Sequence, residues 1–135
     1  GSELSALQAL AKEEGLLDRV EFAGRQKAED IHLWYSALDV FAVPRKDSRL
    51  TRTVTPIKTL QARSFGIPIV ATDSPALREA AGAQATFIRS VNPKRLAKAL
   101  LNALDNGVNE EPSPQVPTWA QAAKHYEAIY EGFSQ

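Results

Sequence analysis

Cysteine is absent from this 135-residue chain, which removes a disulfide framework, a thiol nucleophile and a thiolate metal site together. No apolar run is long enough to span a bilayer, and the first residues lack the basic-then-apolar pattern of a secretory leader. No integral membrane segment is therefore expected, and a cytoplasmic location is the default. Histidine is scarce. His32 and His125 lie far apart, and neither stands in an acidic or histidine group at ligand spacing, so no metal is expected. No glycine-rich phosphate loop of standard spacing occurs, because Gly24 has no glycine companion nearby and Gly66 follows a helical pattern instead of preceding one. Ser64 and Ser74 have no nearby histidine and no nucleophile-elbow motif, so a hydrolase triad is unsupported. What survives these exclusions is a binding half-site, with no resident cofactor expected.

The composition is 44% hydrophobic, 24% charged and 7% aromatic, which is that of a globular domain with a core of useful size. The opening Gly1-Ser2, without methionine, reads as an expression-tag scar on a piece cut from something longer. Sixteen basic and sixteen acidic residues cancel, but they are not mixed. Residues 1–43 carry four basic and eight acidic groups, whereas residues 44–64 carry six basic ones (Arg45, Lys46, Arg49, Arg52, Lys58, Arg63) against Asp47 alone. Such a cluster focuses field on a small anion, whereas a nucleic-acid binder is more often basic over a whole face. No nucleic-acid partner is expected. The plainer alternative for the cluster is a solvated loop.

Apolar spacing supplies the skeleton. Leu4, Leu7, Leu10 and Ala11 predict a helix over 3–14, stopped by Gly15. Val20-Glu21-Phe22-Ala23 predicts a short strand closed by Gly24, and 28–38 a helix through Ile31, Trp34, Tyr35 and Leu38. Val40-Phe41-Ala42-Val43 reads as a strand buried on both faces, followed by a polar loop over 45–52 without obvious structure. The next helix begins at Pro56 behind Thr55 as cap, with Ile57, Leu60, Ser64 and Phe65 at helical spacing and Ala62 beside them. Ile69-Val70-Ala71 predicts a strand, 74–79 a short helix, Thr86-Phe87-Ile88 an outer strand, and Asn92-Pro93 the start of a helix ending at Gly107. A proline-rich linker over 108–117 then leads to a last helix from Trp119 to Phe133, expected to pack on the body through Trp119, Tyr126 and Tyr130. The alternation predicts an α/β fold with an open, doubly wound, mostly parallel sheet of about four strands, lacking its first elements. Residues 3–107 form this truncated domain, and 118–135 carry its closing helix.

In such sheets ligands bind outside the carboxyl ends of the strands. Gly24-Arg25-Gln26, Pro44 to Thr55, and Thr72-Asp73-Ser74 reach that rim. The middle stretch joins a helix start at Val54 to Ile57 with the basic cluster, a combination suited to phosphate.

The run from Arg49 to Asp73, with Val54-Thr55-Pro56-Ile57-Lys58, Gln61-Ala62 and Gly66-Ile67-Pro68-Ile69-Val70-Ala71-Thr72-Asp73, resembles the C-terminal domain of retaining, family 4 type glycosyltransferases (glycosyl transferases group 1), which have two Rossmann-like domains in the GT-B arrangement. Asp18 to Gly24, Leu33 to Pro44 and Trp119 to Tyr130 are similar to other stretches of that domain, in the same order. The resemblance implies a nucleotide-diphosphate sugar held mainly by this half, with the acceptor supplied by an absent N-terminal domain. It implies that Gly24, Arg25 and Gln26 lie against the nucleotide base, and that Val54, Thr55 and Pro56 present backbone donors to the diphosphate; from the basic cluster itself, Lys58 is expected to add charge beside that helix start. It sets Gln61 where a ribose-binding glutamate is usual, and Arg52 or Thr53 where a glutamate usually touches the transferred sugar. Both departures replace charged acceptors. Two functions follow: the donor-binding half of a transferase, itself inactive as a fragment, or a degenerate nucleotide-binding or structural module without transfer. An epimerase-like enzyme would need acidic and histidine groups at the cleft that this chain does not supply.

Overall fold

The computed structural model describes residues 2–107, 116 and 118–133, so the linker expected over 108–117 lies almost wholly outside the described residues. The chain divides into two compact units, Gly1–His32 and Leu33–Gln135.

In the first unit, α1 spans Leu4–Glu13. Its end is a Schellman turn: the Gly15 N–H donates to Lys12 O (3.1 Å) and the Leu16 N–H to Ala11 O (2.8 Å), with Gly15 at φ 66°. The strand expected at Val20–Ala23 does not form, since those residues enter no ladder. The chain instead rolls through a second turn that spends the Val20 N–H on Leu16 O (3.0 Å). Apolar alternation over four residues marks where a strand could form, but pairing decides whether one does. The helix expected over 28–38 is shorter and divided into a 3-10 turn, Ala28–Asp30, and α2, Ile31–Ser36. The boundary between the units falls inside α2.

The second unit contains a three-stranded sheet: β1 (Phe41–Val43), β2 (Ile69–Thr72) and β3 (Thr86–Ile88), in the order β1-β2-β3 and parallel throughout. Ala42 faces Val70 across the first ladder, and Ala71 faces Phe87 across the second. Parallel neighbours need crossovers. β1 is followed by α3 (Arg49–Thr53) and α4 (Ile57–Ser64), β2 by α5 (Pro75–Ala81), and β3 by α6 (Pro93–Asn106); α7 (Trp119–Gly132) closes the chain. All four residues of β2 are buried, as a strand covered on both faces requires. Val70 and Ile88 pack with Ala99 and Ala103 of α6. Alternation sends Ile69 and Ala71 to the other face, where α4 and α5 lie on the sheet and on each other, burying Ala62, Leu77 and Ala80.

Local chemistry explains the helix starts. Ser74 accepts from the Leu77 N–H ahead of Pro75, and Asn92 from the Arg95 N–H ahead of Pro93, so each proline sits where its missing donor costs nothing. The stretch 45–52 is not plain loop: Ser48 and Thr51 form a reciprocal capping box that starts α3. In α4 the cap is Pro56, not Thr55, and no side chain bonds the first turn. The buried face of α4 is Thr59 and Ala62, whereas Ile57 is 64% exposed. The helix is turned so that its small residues meet the sheet and α5. The last helix forms, capped by Thr118 with Gln121, but it does not pack as expected. None of its residues is buried, and Trp119 is 87% exposed. Cap and spacing specify a helix locally; burial needs a facing surface, which neither can create.

Candidate functional site

Three parallel strands end on one rim, and the segments leaving them enclose a cleft of about 300 Å³. Arg45, Lys46 and Asp47 follow β1, Asp73 and Ser74 follow β2, and Arg89, Ser90 and Val91 follow β3; Thr51 of α3 and Thr72 complete the walls. The β1 and β2 exits are tied together by the Arg45 N–H, which donates to Thr72 Oγ1 at 3.0 Å. Thr51 Oγ1 donates to Lys46 O (2.9 Å), so the capping box that starts α3 also fixes the wall carrying Lys46. A smaller hollow of about 40 Å³ beside Pro68 and Ile69 lies at the opposite end of the sheet, away from the strand ends where ligands collect.

Electrostatics decide what the cleft can hold. Each of its carboxylates is gripped by an arginine that does not line it. Arg52 donates Nε to Asp47 Oδ1 (2.6 Å) and a terminal nitrogen to Oδ2. Arg78 does the same to Asp73, at 2.6 and 2.9 Å, while its guanidinium lies 4.6 Å from the centre of the Phe87 ring. The Arg52 hydrogen bonds hold the Asp47 carboxyl below the usual carboxylate range. Those of Arg78, with the charges of Arg78 and Arg89, do so for Asp73. Exposed pairs of this kind add little to stability, but they neutralise both acids. Arg45, Lys46 and Arg89 are left to set the field of the cleft.

Beside the cleft is the corner between α3 and α4. The Val54 N–H is already spent on Leu50 O (3.0 Å), its carbonyl accepts from the Arg45 guanidinium (3.4 Å), and Pro56 has no N–H. With no side-chain cap on α4, the outward donors of its first turn are the N–H groups of Ile57 and Lys58. One turn on, the Tyr35 hydroxyl is shared between Lys58 O (3.2 Å) and Gln61 Oε1 (3.1 Å). Burial pushes the Tyr35 phenol up, and its ring stacks on Phe65 at 5.5 Å.

The family model for "Glycosyl transferases group 1" matches residues 1–106. The chain belongs to that family. No curated protein and no solved structure matches it. In this glycosyltransferase domain the fold is the expected α/β arrangement, with a small open parallel sheet like half of a Rossmann fold. Among the described residues no helix is long and apolar enough to cross a membrane.

The residues singled out from the glycosyltransferase resemblance divide between the units. Gly24, Arg25 and Gln26 belong to the first, where Gly24 has φ 68° and the Gln26 amide donates to Ala23 O. Arg52, Thr53, Val54, Thr55, Pro56, Lys58 and Gln61 belong to the second, along α3 and the start of α4. Arg52 is turned to Asp47, and Thr53 Oγ1 donates back to Arg49 O at 3.1 Å. Sequence reasoning missed Arg89 and Ser90. The signal was available, since they follow the apolar Thr86-Phe87-Ile88 directly, at the rim where a third parallel strand must end.

Proposed function

We propose that the chain is the donor-binding part of a glycosyltransferase that moves a sugar, with retention, from a nucleotide-diphosphate sugar to an acceptor held by another domain. The observation that carries this reading is the open first turn of α4, at the strand-end rim of a domain whose family is known. The N–H groups of Ile57 and Lys58 have no side-chain cap there, and Arg45 reaches the adjoining Val54 carbonyl. As the sugar leaves, negative charge grows on the diphosphate, and fixed donors and cations stabilise that charge more than the ground state. In this reading Val54, Thr55 and Pro56 shape the diphosphate corner, Lys58 adds charge, Gln61 serves the ribose, and Arg52 or Thr53 stands by the transferred sugar.

A second reading, binding without transfer, is favoured by one observation. The amide oxygen of Gln61 already accepts from Tyr35, and Arg52, a donor only, is bound to Asp47, so neither offers a sugar hydroxyl the charged acceptor that a glutamate would. Titration of UDP and of GDP, followed by backbone amide shifts, tests the donor reading. It predicts shifts over 55–61, a dissociation constant on the order of 1 mM, equivalent to about 4 kcal/mol, and tighter binding in Gln61→Glu. Shifts at 24–26 are an independent readout for the base. If neither nucleotide perturbs 55–61 at millimolar concentration, the donor reading fails.

A further inference from the structure

The cleft between the three strand exits shares none of its walls with Val54 to Gln61, and the donor reading touches it only through Arg45, whose guanidinium also reaches the Val54 carbonyl. Its volume, about 300 Å³, is at the small end of ligand pockets and suits a phosphate with a modest substituent. The polar groups come from three separate segments: Arg45, Lys46 and Thr51 from the first, Ser74 from the second, Arg89 and Ser90 from the third. A planar carboxylate is satisfied by one guanidinium fork, whereas donors arriving from three directions match a tetrahedral oxyanion.

The two acids are the decisive detail. Asp47 and Asp73 line the cleft and would repel an anion, yet each is bound through both oxygens by an arginine standing outside it. Arg52 and Arg78 therefore act on the cleft without lining it, and the charge left facing the space is that of Arg45, Lys46 and Arg89. We propose that this cleft is a second anion site, separate from the nucleotide corner, that takes the phosphate group of a small phosphorylated molecule through Arg45, Lys46 and Arg89, with the hydroxyls of Ser74 and Ser90 as further donors.

The test is titration of the labelled chain with inorganic pyrophosphate and, in a parallel arm, with a sugar monophosphate, at low salt and by amide shifts. Perturbation is expected at 45–47, 73–74 and 89–91. If pyrophosphate alone perturbs these amides, the phosphate need carry no sugar; if the sugar phosphate binds more tightly, the rest of the cleft contributes to the site. Arg89→Ala and Lys46→Ala should each weaken binding about tenfold, Arg89→Lys should keep most of it, and added salt should weaken it further. Arg78→Ala is the sharper variant. It removes no group from the cleft but uncovers the Asp73 carboxylate, so affinity should fall several-fold, and the double variant Arg78→Ala, Asp73→Asn should recover it. An unchanged amide spectrum outside the cleft verifies folding of each variant. The proposal is overturned if neither phosphate compound shifts these amides, if Arg89→Ala binds like the parent, or if Arg78→Ala is neutral. It is also overturned if UDP displaces pyrophosphate from 89–91, which would make the cleft part of the nucleotide site. Failure of UDP to shift 55–61 bears on the donor reading alone.

Discussion

β2 and α7 are both rich in apolar side chains, yet every residue of β2 is buried and none of α7 is. β2 has a strand on each edge and helices on both faces, so its small residues lose all contact with water. The large side chains of α7 stay in solvent: Trp119, Tyr126 and Tyr130 are 87%, 60% and 69% exposed. Side-chain hydrophobicity therefore does not rank burial in this molecule; the number of neighbouring elements does. Among the described residues, eight of the fourteen buried apolar ones are alanines. Such a core is held by close approach of helices to sheet more than by large side chains, which makes it sensitive to added volume.

The contrast can be broken most directly at Leu77, the largest fully buried side chain among the described residues. Leu77→Ala should cost about 2–5 kcal/mol in urea unfolding, whereas Trp119→Ala should stay within about 0.5 kcal/mol. Equal losses would mean that α7 contributes to the core after all. A smaller effect of opposite sign is expected at Thr59, which is fully buried with a hydroxyl that has no hydrogen-bond partner among the described residues. Replacing that hydroxyl by a methyl keeps the shape and removes the desolvated polar atom, so Thr59→Val should stabilise by about 1 kcal/mol in the same measurement. A loss of stability would show instead that the hydroxyl is hydrogen-bonded in solution.

The smallest effect belongs to the exposed rim. Asp73 is held below the ordinary aspartate value by its hydrogen bonds to Arg78. A depressed carboxyl favours the folded state above its unfolded pKa, and that contribution fades as pH falls through the lower folded value. Carbon chemical shifts of the Asp73 side chain should accordingly titrate below the usual carboxylate range, and in Arg78→Ala they should move back up into it. Coincident titration in parent and variant would remove the charge pairing on which the cleft depends.

Much of this architecture is legible in residues a few positions apart. The prolines behind Ser74 and Asn92, and Gly15 and Gly107 at helix ends, mark element boundaries through their own backbone chemistry. α3 is missed, since 45–52 reads as a loop: Thr51 replaces the usual glutamate or glutamine of a capping box, which hides the helix start. The rotation of α4 is not legible either. Ile57 and Leu60 are its more apolar residues, yet the helix buries Thr59 and Ala62, because only small side chains fit between α4, the sheet and α5. At the candidate site the basic stretch 44–64 stands out as a charge block, and Arg52 and Arg78 are each spent on the aspartate five residues earlier, just before the serine cap of their helix, but no local pattern says that Arg89, from a distant segment, joins Arg45 and Lys46.

The chain's order of residues, taken alone, determined the alternation of helix and strand, the capped helix starts and the concentration of positive charge, because each depends on neighbours within one or two turns. Tertiary structure decided which apolar stretches were covered: β2 but not α7, and no strand at Val20–Ala23. It also decided which charges remain unneutralised at the rim. Burial is set by what arrives from elsewhere in the chain, and so is the field of the cleft: the two aspartate–arginine pairs are local, five residues apart, but Arg45, Lys46 and Arg89 meet only because the ladders of the parallel sheet bring their segments together.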